Sequence, residues 1–187
     1  MEEKLVSSQL GIKANVSVSV RNIYTGKITK KVNASNRVTN LMLAGIANLM
    51  YGDVEILERY VPAYVAVGDC ETPSSGGSVS PIAVAVTDTK LYGEVPFNTT
   101  GVYERVKISS KSITNNNDYI TVGTSCYIQS NTFNEIEIKE IGLFTKDSGN
   151  NCLARVILEE PVVKDENEVI DVVWGLTSTS VASSENE

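Results

Sequence analysis

The chain has 187 residues, of which 42% are hydrophobic and 21% are charged, a composition typical of globular proteins and not of disordered ones. Its 16 lysines and arginines against 23 aspartates and glutamates give a net charge of -7, which argues against partners such as nucleic acid or an anionic membrane surface. Because the sequence contains no histidine, Ser-His-Asp triads, Cys-His pairs and histidine-based metal sites are excluded.

These exclusions leave only carboxylate, lysine or tyrosine side chains for catalysis, and we predict that the protein is not an enzyme and holds no cofactor or metal. No run of about 20 apolar residues is present to cross a bilayer. The N-terminal stretch "MEEKLVSSQLGIK" has acidic residues and no continuous apolar region, so we expect no signal peptide.

The first predicted elements are two strands joined by a turn. Val16, Val18 and Val20 alternate with serines, the period of a half-buried strand. Thr25-Gly26 predicts a turn, after which "KITKKV" returns as a second, more polar strand.

The segment "NRVTNLMLAGIANLMYG" contains the only predicted helix, over residues 39–51. Thr39 or Asn40 can cap its start, and Gly52 stands where a left-handed C-terminal stop belongs. One apolar stripe at helical spacing is formed by Met42, Ile46, Leu49 and Met50. Further apolar residues widen this stripe, so two interpretations stay open: a core helix within one subunit, or a helix covered partly by a second subunit.

The middle of the chain predicts short strands separated by turns. A strand over 63–67 precedes a loop rich in Gly, Ser and Pro, which lacks the Gly-Lys-Ser/Thr of a phosphate-binding loop. Segments such as "IAVAVTDTKLYGEVPF" and "GVYERVKISSKSI" continue the strand pattern from Ile82 to Val122. This spacing, with one helix only, predicts a mainly-β protein: an antiparallel β-sandwich, jelly-roll-like.

The best-patterned segment is "EIEIKEIGLFTKDSGNNCLARVILEEP", from Glu135 to Pro161, which predicts a hairpin around a polar turn. It is followed by "EVIDVVWGLT", where one strand face is shared by Ile170, Val172, Trp174 and Leu176. We assign residues 1–13 to an N-terminal arm, 14–177 to a single β-sandwich domain that includes the helix, and 178–187 to a flexible C-terminal tail.

Two carboxylates in this hairpin raise the question of catalysis. Glu135 and Glu137 stand two apart on the predicted strand and so project from one face. An acid/base pair of the glycosidase type is one interpretation, and the solvated face of an antiparallel sheet is the one we favour.

Glu140 poses a different problem, because strict alternation with Ile136 and Ile138 sends it inward together with Phe144. A buried carboxylate without partners is strongly unfavourable. Two solutions exist: a β-bulge near Glu140 that flips the register, or hydrogen bonds from a neighbouring loop or from Arg155 across the hairpin. In either case we predict a structural anchor and not a catalytic acid.

The three cysteines, Cys70, Cys126 and Cys152, have no metal-ligand spacing, and we interpret them as small apolar residues. Tyr92, Tyr103 and Tyr127 are the candidates for aromatic platforms in a carbohydrate-binding alternative.

The order of the motifs "NRVTNLMLAGIANLM", "YVAVGD", "EIGLF", "LARV" and "VVW", over residues 36–176, resembles a β-rich module of bacteriophage tail-fibre and related virion proteins. The resemblance implies a virion structural protein, made in the bacterial host cytoplasm, that forms a homo-oligomer, most often a trimer, and docks to other virion proteins. The chain lacks the repetitive shaft and receptor-binding domain of full fibres, which favours a tail, collar or capsid-surface fitting.

Two alternatives stay open at this point: a capsid decoration protein, or a carbohydrate- or receptor-binding module with a glycan partner. The residues that we single out as structural or interface candidates are Met42, Ile46, Leu49, Met50, Glu140, Phe144, Arg155 and Trp174.

Overall fold

The computed structural model describes residues 8–50, 59–70, 83–95, 105–115 and 119–182. Within these ranges the chain forms nine strands and one helix. In chain order they are β1 (Ser8–Asn22), β2 (Ile28–Val38), α1 (Asn40–Met50), β3 (Tyr64–Gly68), β4 (Val106–Lys107), β5 (Ser110–Asn115), β6 (Tyr119–Ile128), β7 (Ile138–Phe144), β8 (Cys152–Val162) and β9 (Glu168–Ala182).

The strands form two antiparallel sheets that share one strand. Their order is β4-β3-β7-β8-β2-β1-β9-β6-β5. Strand β2 belongs to both sheets, because its residues 28–36 pair with β1 while Arg37 and Val38 pair with β8. We call β5, β6, β9, β1 and the start of β2 the first sheet, and the end of β2, β8, β7, β3 and β4 the second sheet. The two sheets pack together, which confirms the predicted antiparallel β-sandwich with one helix.

The main core lies between the sheets and confirms the alternation read from the sequence. Val16, Val18 and Val20 are each 1% exposed, and Ile170, Val172 and Trp174 on β9 are equally hidden. Full burial of an aliphatic side chain of this size contributes about 1.5–3 kcal/mol. The second sheet supplies Val65, Val67, Ile141, Leu143, Leu153, Val156 and Leu158 to the same core.

Strands β1 and β9 extend further than the sequence pattern indicated. Their ladder runs from Ser8 opposite Ala182 to Asn22 opposite Glu168, so residues 8–13 and 178–182 continue the strands into the segments assigned to arm and tail. The sequence gives little sign of this extension, because the pairing there joins backbone groups of mostly small and polar residues.

The helix begins where the sequence predicted it, but its cap works differently. The Thr39 carbonyl accepts the first helical hydrogen bond from the Leu43 amide at 3.1 Å. The Thr39 hydroxyl donates to β8, to the carbonyls of Cys152 at 2.8 Å and Leu153 at 2.9 Å. Thr39 therefore ties the start of α1 to the second sheet. Gly52, the predicted stop, lies outside the described residues.

The strand predicted in "IAVAVTDTKLYGEVPF" is wrong for the described residues 83–95, which form an irregular segment with a single bridge between Glu94 and Gly68. We call residues 83–95 the covering loop, because they lie over the outer face of the second sheet. There Leu91 packs with Ala66, Phe144 and Cys152 in a second, smaller core.

Strand β7 begins at Ile138, so the prediction that Glu135 and Glu137 share a strand face is also wrong. Glu135 has a left-handed backbone with φ 60°, and its amide donates to the Lys164 carbonyl at 3.0 Å. These features place Glu135 in a turn.

The pairing of β7 with β8 is interrupted between Ile138 and Glu140. Ile138, Ile141 and Leu143 all belong to the main core, whereas Glu140 and Phe144 lie on the outer face of the second sheet. The interruption therefore reverses the alternation, as a bulge does. Glu140 is still fully buried, because the covering loop closes over that face.

Candidate functional site

Glu140 uses both solutions that its sequence context left open. Its Oε1 accepts hydrogen bonds from the amides of Tyr92 and Gly93, each at 2.8 Å, and its Oε2 accepts one from Arg155 Nε at 2.6 Å. A carboxylate with three donors of this kind is well compensated for burial. The Glu140 carboxylate thus holds the covering loop through the backbone amides of that loop.

Arg155 lies opposite Gly142 on the adjacent strand and is fully buried. Its Nη1 donates to Asp88 Oδ2 at 3.2 Å, and its guanidinium carbon lies 4.7 Å from the centre of the Tyr92 ring. Burial lowers the pKa of Arg155, but the hydrogen bond and charge of Glu140, followed by those of Asp88, outweigh burial and raise the pKa above its usual value. The guanidinium is therefore a permanent cation between two buried carboxylates.

A second arginine repeats this arrangement nearby. Arg105 Nε and Nη2 donate to the two carboxylate oxygens of Glu94 at 2.8 and 3.0 Å, and its guanidinium carbon lies 3.5 Å from the centre of the Phe144 ring. The same side chain donates to the carbonyls of Lys146 and Gly149 in the β7–β8 turn. Together the two arginines fasten the covering loop and this turn onto the second sheet, which is a structural task.

Four of the predicted candidates thus lie inside the chain. Glu140, Arg155 and Phe144 belong to the outer layer of the second sheet, and Trp174 is 1% exposed in the main core. The Trp174 Nε1 has no acceptor among the described residues. These side chains shape the fold and are not available for contact with a partner.

The residues of the catalytic alternative and the described residues of the glycan-binding alternative line neither described cavity. Glu135 and Glu137 are exposed, and Glu137 pairs with Lys139 at 3.1 Å. Tyr92 stacks on Arg155, Tyr127 is 41% exposed on β6, and Tyr103 lies outside the described residues.

Two of the other candidates, Met42 and Ile46 of α1, line a groove of about 320 Å³. The rest of its lining comes from the segment before β3 and from β6 and β9, through Gly45, Tyr60, Val61, Pro62, Ile120, Val122, Leu176 and Ser178. We call this the apolar groove. The side chains of Leu49 and Met50 lie outside the described part of the chain.

The apolar groove continues onto β5. Val122 is directly opposite both Leu176 and Ile113, so the three side chains share the core-facing side of the first sheet. Ile113 is nevertheless 75% exposed, and Ile120 is 46% exposed. This end of the first sheet is therefore only partly covered. We call Ile113, Ile120 and Val122 the uncovered face; sequence reasoning missed it, because Ile113 stands alone among polar residues.

Strand β5 is also the last strand of the first sheet. It pairs with β6 on one side, and no described strand pairs with its other side. All six of its residues are exposed. Such an edge presents free backbone donors and acceptors to an incoming strand.

A second cavity, of about 490 Å³, lies on the opposite side of the first sheet. Its lining combines polar side chains, from Asn15, Ser17, Asn33, Ser35 and Glu159, with Val16, Ala34, Val173 and Gly175. We call this the polar cleft.

The three cysteines are buried and unpaired with one another, in agreement with their interpretation as apolar residues. Burial raises the pKa of Cys70 to about 11 and the pKa values of Cys126 and Cys152 to about 12.

Because only the thiolate reacts, we expect negligible labelling of the native protein by a thiol reagent at about pH 8, and reaction of all three cysteines in denaturant. Absorbance after addition of Ellman's reagent measures the labelling of the native protein and of the denatured protein. Rapid labelling of the folded chain contradicts the structure.

Among the described residues no group of acidic or cysteine side chains is arranged to hold a metal ion. The helix in the described ranges is too short to cross a membrane. Comparison of the chain with models of protein families, with curated proteins and with solved structures finds no match.

Proposed function

We propose that this chain is a bacteriophage virion structural protein, a tail, collar or fibre-type fitting that acts by self-assembly and by docking to other virion proteins. The observation that carries the proposal is the uncovered face, a core-facing side of a sheet left exposed beside the apolar groove. The motif order that resembles tail-fibre modules supplies the virion context. A capsid decoration protein uses the same surface and is the nearest alternative.

The physical argument rests on the exposed apolar area. Contiguous exposed apolar patches mark interaction sites, because their burial stabilises a complex by about 25 cal/mol per Å². Ile113, Ile120 and Val122 lie next to the free edge of β5, where a partner strand can add backbone hydrogen bonds. Apolar contact and strand pairing at one place favour a protein partner, and we infer a second copy of this chain as the first of them.

The charge of the edge supports pairing between copies. Strand β5 carries one charged residue, Lys111. In an antiparallel pair of two β5 edges centred on Ile113, Lys111 lies opposite Asn115 of the second copy, so no like charges meet. The two Ile113 side chains then lie against each other and extend the uncovered face across the junction.

Replacement of Ile113 with lysine is expected to reduce the molar mass of the assembly towards that of the monomer, because it places a charge at the centre of the uncovered face. Size-exclusion chromatography with light scattering over a concentration series measures this change. Ile113 is exposed in the monomer, so the variant is expected to fold, which the emission of Trp174 checks.

Val173→Lys is the matched control. Val173 is 50% exposed on the opposite side of the same sheet, and its replacement is expected to leave the molar mass unchanged. A strictly monomeric wild-type protein at high concentration would contradict self-assembly.

Electron cryo-microscopy of phage particles tests the virion location, since density for the chain on tail, collar or capsid is the expected result.

The polar cleft supports a second candidate function, a carbohydrate-binding module. Its amide, hydroxyl and carboxylate groups are the types that hydrogen-bond sugar hydroxyls. Binding on a glycan array that is lost in Glu159→Ala and Asn33→Ala, and kept in Ile113→Lys, would favour this function over self-assembly.

A further inference from the structure

Lys164, in the connection between β8 and β9, is a buried titratable group that lies outside the arginine and carboxylate cluster of the second sheet. It is 1% exposed and makes no ion pair with any described carboxylate. Its Nζ donates to the backbone carbonyls of Ser130 at 2.9 Å and Asp165 at 3.4 Å, and it contacts the side-chain oxygen of Asn134. A buried ammonium without a counter-ion is an unfavourable arrangement.

From these contacts we propose that Lys164 and Asn134 react with each other to form an intramolecular isopeptide bond. The bond joins Lys164 Nζ to Asn134 Cγ and converts a buried cation into a neutral amide. The product closes a covalent loop around the β7–β8 hairpin. This inference is independent of the proposed virion role.

The backbone around the two residues pre-organises the reaction. The Glu135 amide donates to the Lys164 carbonyl at 3.0 Å, which fixes the two segments side by side. Phe133 and Glu135 have left-handed backbones, with φ 54° and 60°, and Asn134 lies between them. Holding two reacting groups in contact removes most of the entropic barrier to their reaction.

The acceptors around Lys164 orient the amine. Nζ donates to the Ser130 and Asp165 carbonyls and to Asn134 Oδ1, which holds it against the Asn134 side chain. A neutral amine has two N–H groups, so it can keep both backbone partners and turn its lone pair to the amide carbon. Burial lowers the pKa of Lys164 from its usual value, against the opposing charges of Asp165 and Glu168. Burial thereby increases the fraction of the nucleophilic amine at neutral pH.

The reaction balances without an oxidant or a co-reactant. The nitrogen lone pair of Lys164 attacks the amide carbon of Asn134, the bond from that carbon to its own nitrogen breaks, and the new amide forms. The protons released from Lys164 Nζ leave with the departing nitrogen, so that a lysine ammonium and a carboxamide give a secondary amide and ammonium.

Mass spectrometry of the intact, purified chain tests the proposal. We expect a mass lower than the sequence mass by one ammonia molecule, and a proteolytic fragment in which the peptides containing Asn134 and Lys164 are joined. The joined fragment is required, because an asparagine that cyclises to a succinimide loses the same mass without a cross-link.

Variants separate the possible sources of the mass change. Lys164→Arg and Asn134→Ala are expected to keep their full sequence masses, and Asn134→Asp to lose water instead of ammonia. The partly exposed control Lys139→Arg is expected to behave like the wild type. A wild-type protein that keeps its full sequence mass after prolonged incubation, with no joined fragment, overturns the proposal. The mass of the wild-type protein therefore tests the proposal even where a variant does not fold.

Discussion

Replacement of Arg155 with methionine is expected to lower the free energy of unfolding by about 3–5 kcal/mol, the usual consequence of removing one partner from a buried ionic group. The side chain is fully buried, and its loss leaves the carboxylates of Glu140 and Asp88 without their cation. It also removes the guanidinium from the Tyr92 ring. Methionine fills much of the same volume, so the lost charge and not a cavity dominates the effect.

Urea unfolding followed by tryptophan emission measures this loss. The chain has a single tryptophan, and because it is 1% exposed its emission is expected to move to longer wavelength on unfolding. Arg21→Met is the matched control, since Arg21 pairs with Asp171 on the surface at 3.0 Å and both side chains are about one-third exposed. We expect little change there, because exposed ion pairs are weak and screened.

A loss of stability in Arg155→Met that is no larger than the loss in Arg21→Met contradicts the assigned role of Arg155.

Gly68→Ala is expected to lower the free energy of unfolding by about 2–4 kcal/mol, through overpacking and weakened hydrogen bonds. A Cβ at this position would lie 2.6 Å from the Gly93 carbonyl oxygen and 2.6 Å from Glu140 Oε1. The first contact is with backbone, and the second displaces the carboxylate that holds the Tyr92 and Gly93 amides. The covering loop and the β3–β7 pair cannot both keep their positions.

Gly175→Ala on β9 is the control for this substitution. A Cβ there has no neighbour closer than 4.0 Å, so we expect unchanged or slightly increased stability, as the unfolded chain loses entropy. Urea unfolding of both variants gives the comparison. Equal stabilities for the two variants would show that the close approach at Gly68 is relieved without cost.

The sequence also predicted that Glu140 would need partners, and it named one of them, Arg155. The inward position of Glu140 and its two solutions followed from alternation and from the unfavourable free energy of a buried charge. Asp88 and the amides of Tyr92 and Gly93 were not identified, because "IAVAVTDTKLYGEVPF" has the alternation of a strand. In the fold this segment loses its strand pairing, because its backbone amides bind Glu140 and its side chains cover the second sheet.

By itself the sequence determined the sandwich, the single helix and the buried faces of β1 and β9, because period-2 apolar patterns and turn residues act locally along the chain. Tertiary structure alone decided the uncovered face, the apolar groove and the contact of Lys164 with Asn134. The groove and the Lys164 contact depend on residues far apart in the chain, and the uncovered face depends on how much of the first sheet the rest of the fold covers. Their individual positions, such as Ile113 among polar neighbours, follow no local period, and no pattern in one sequence records a contact across the fold.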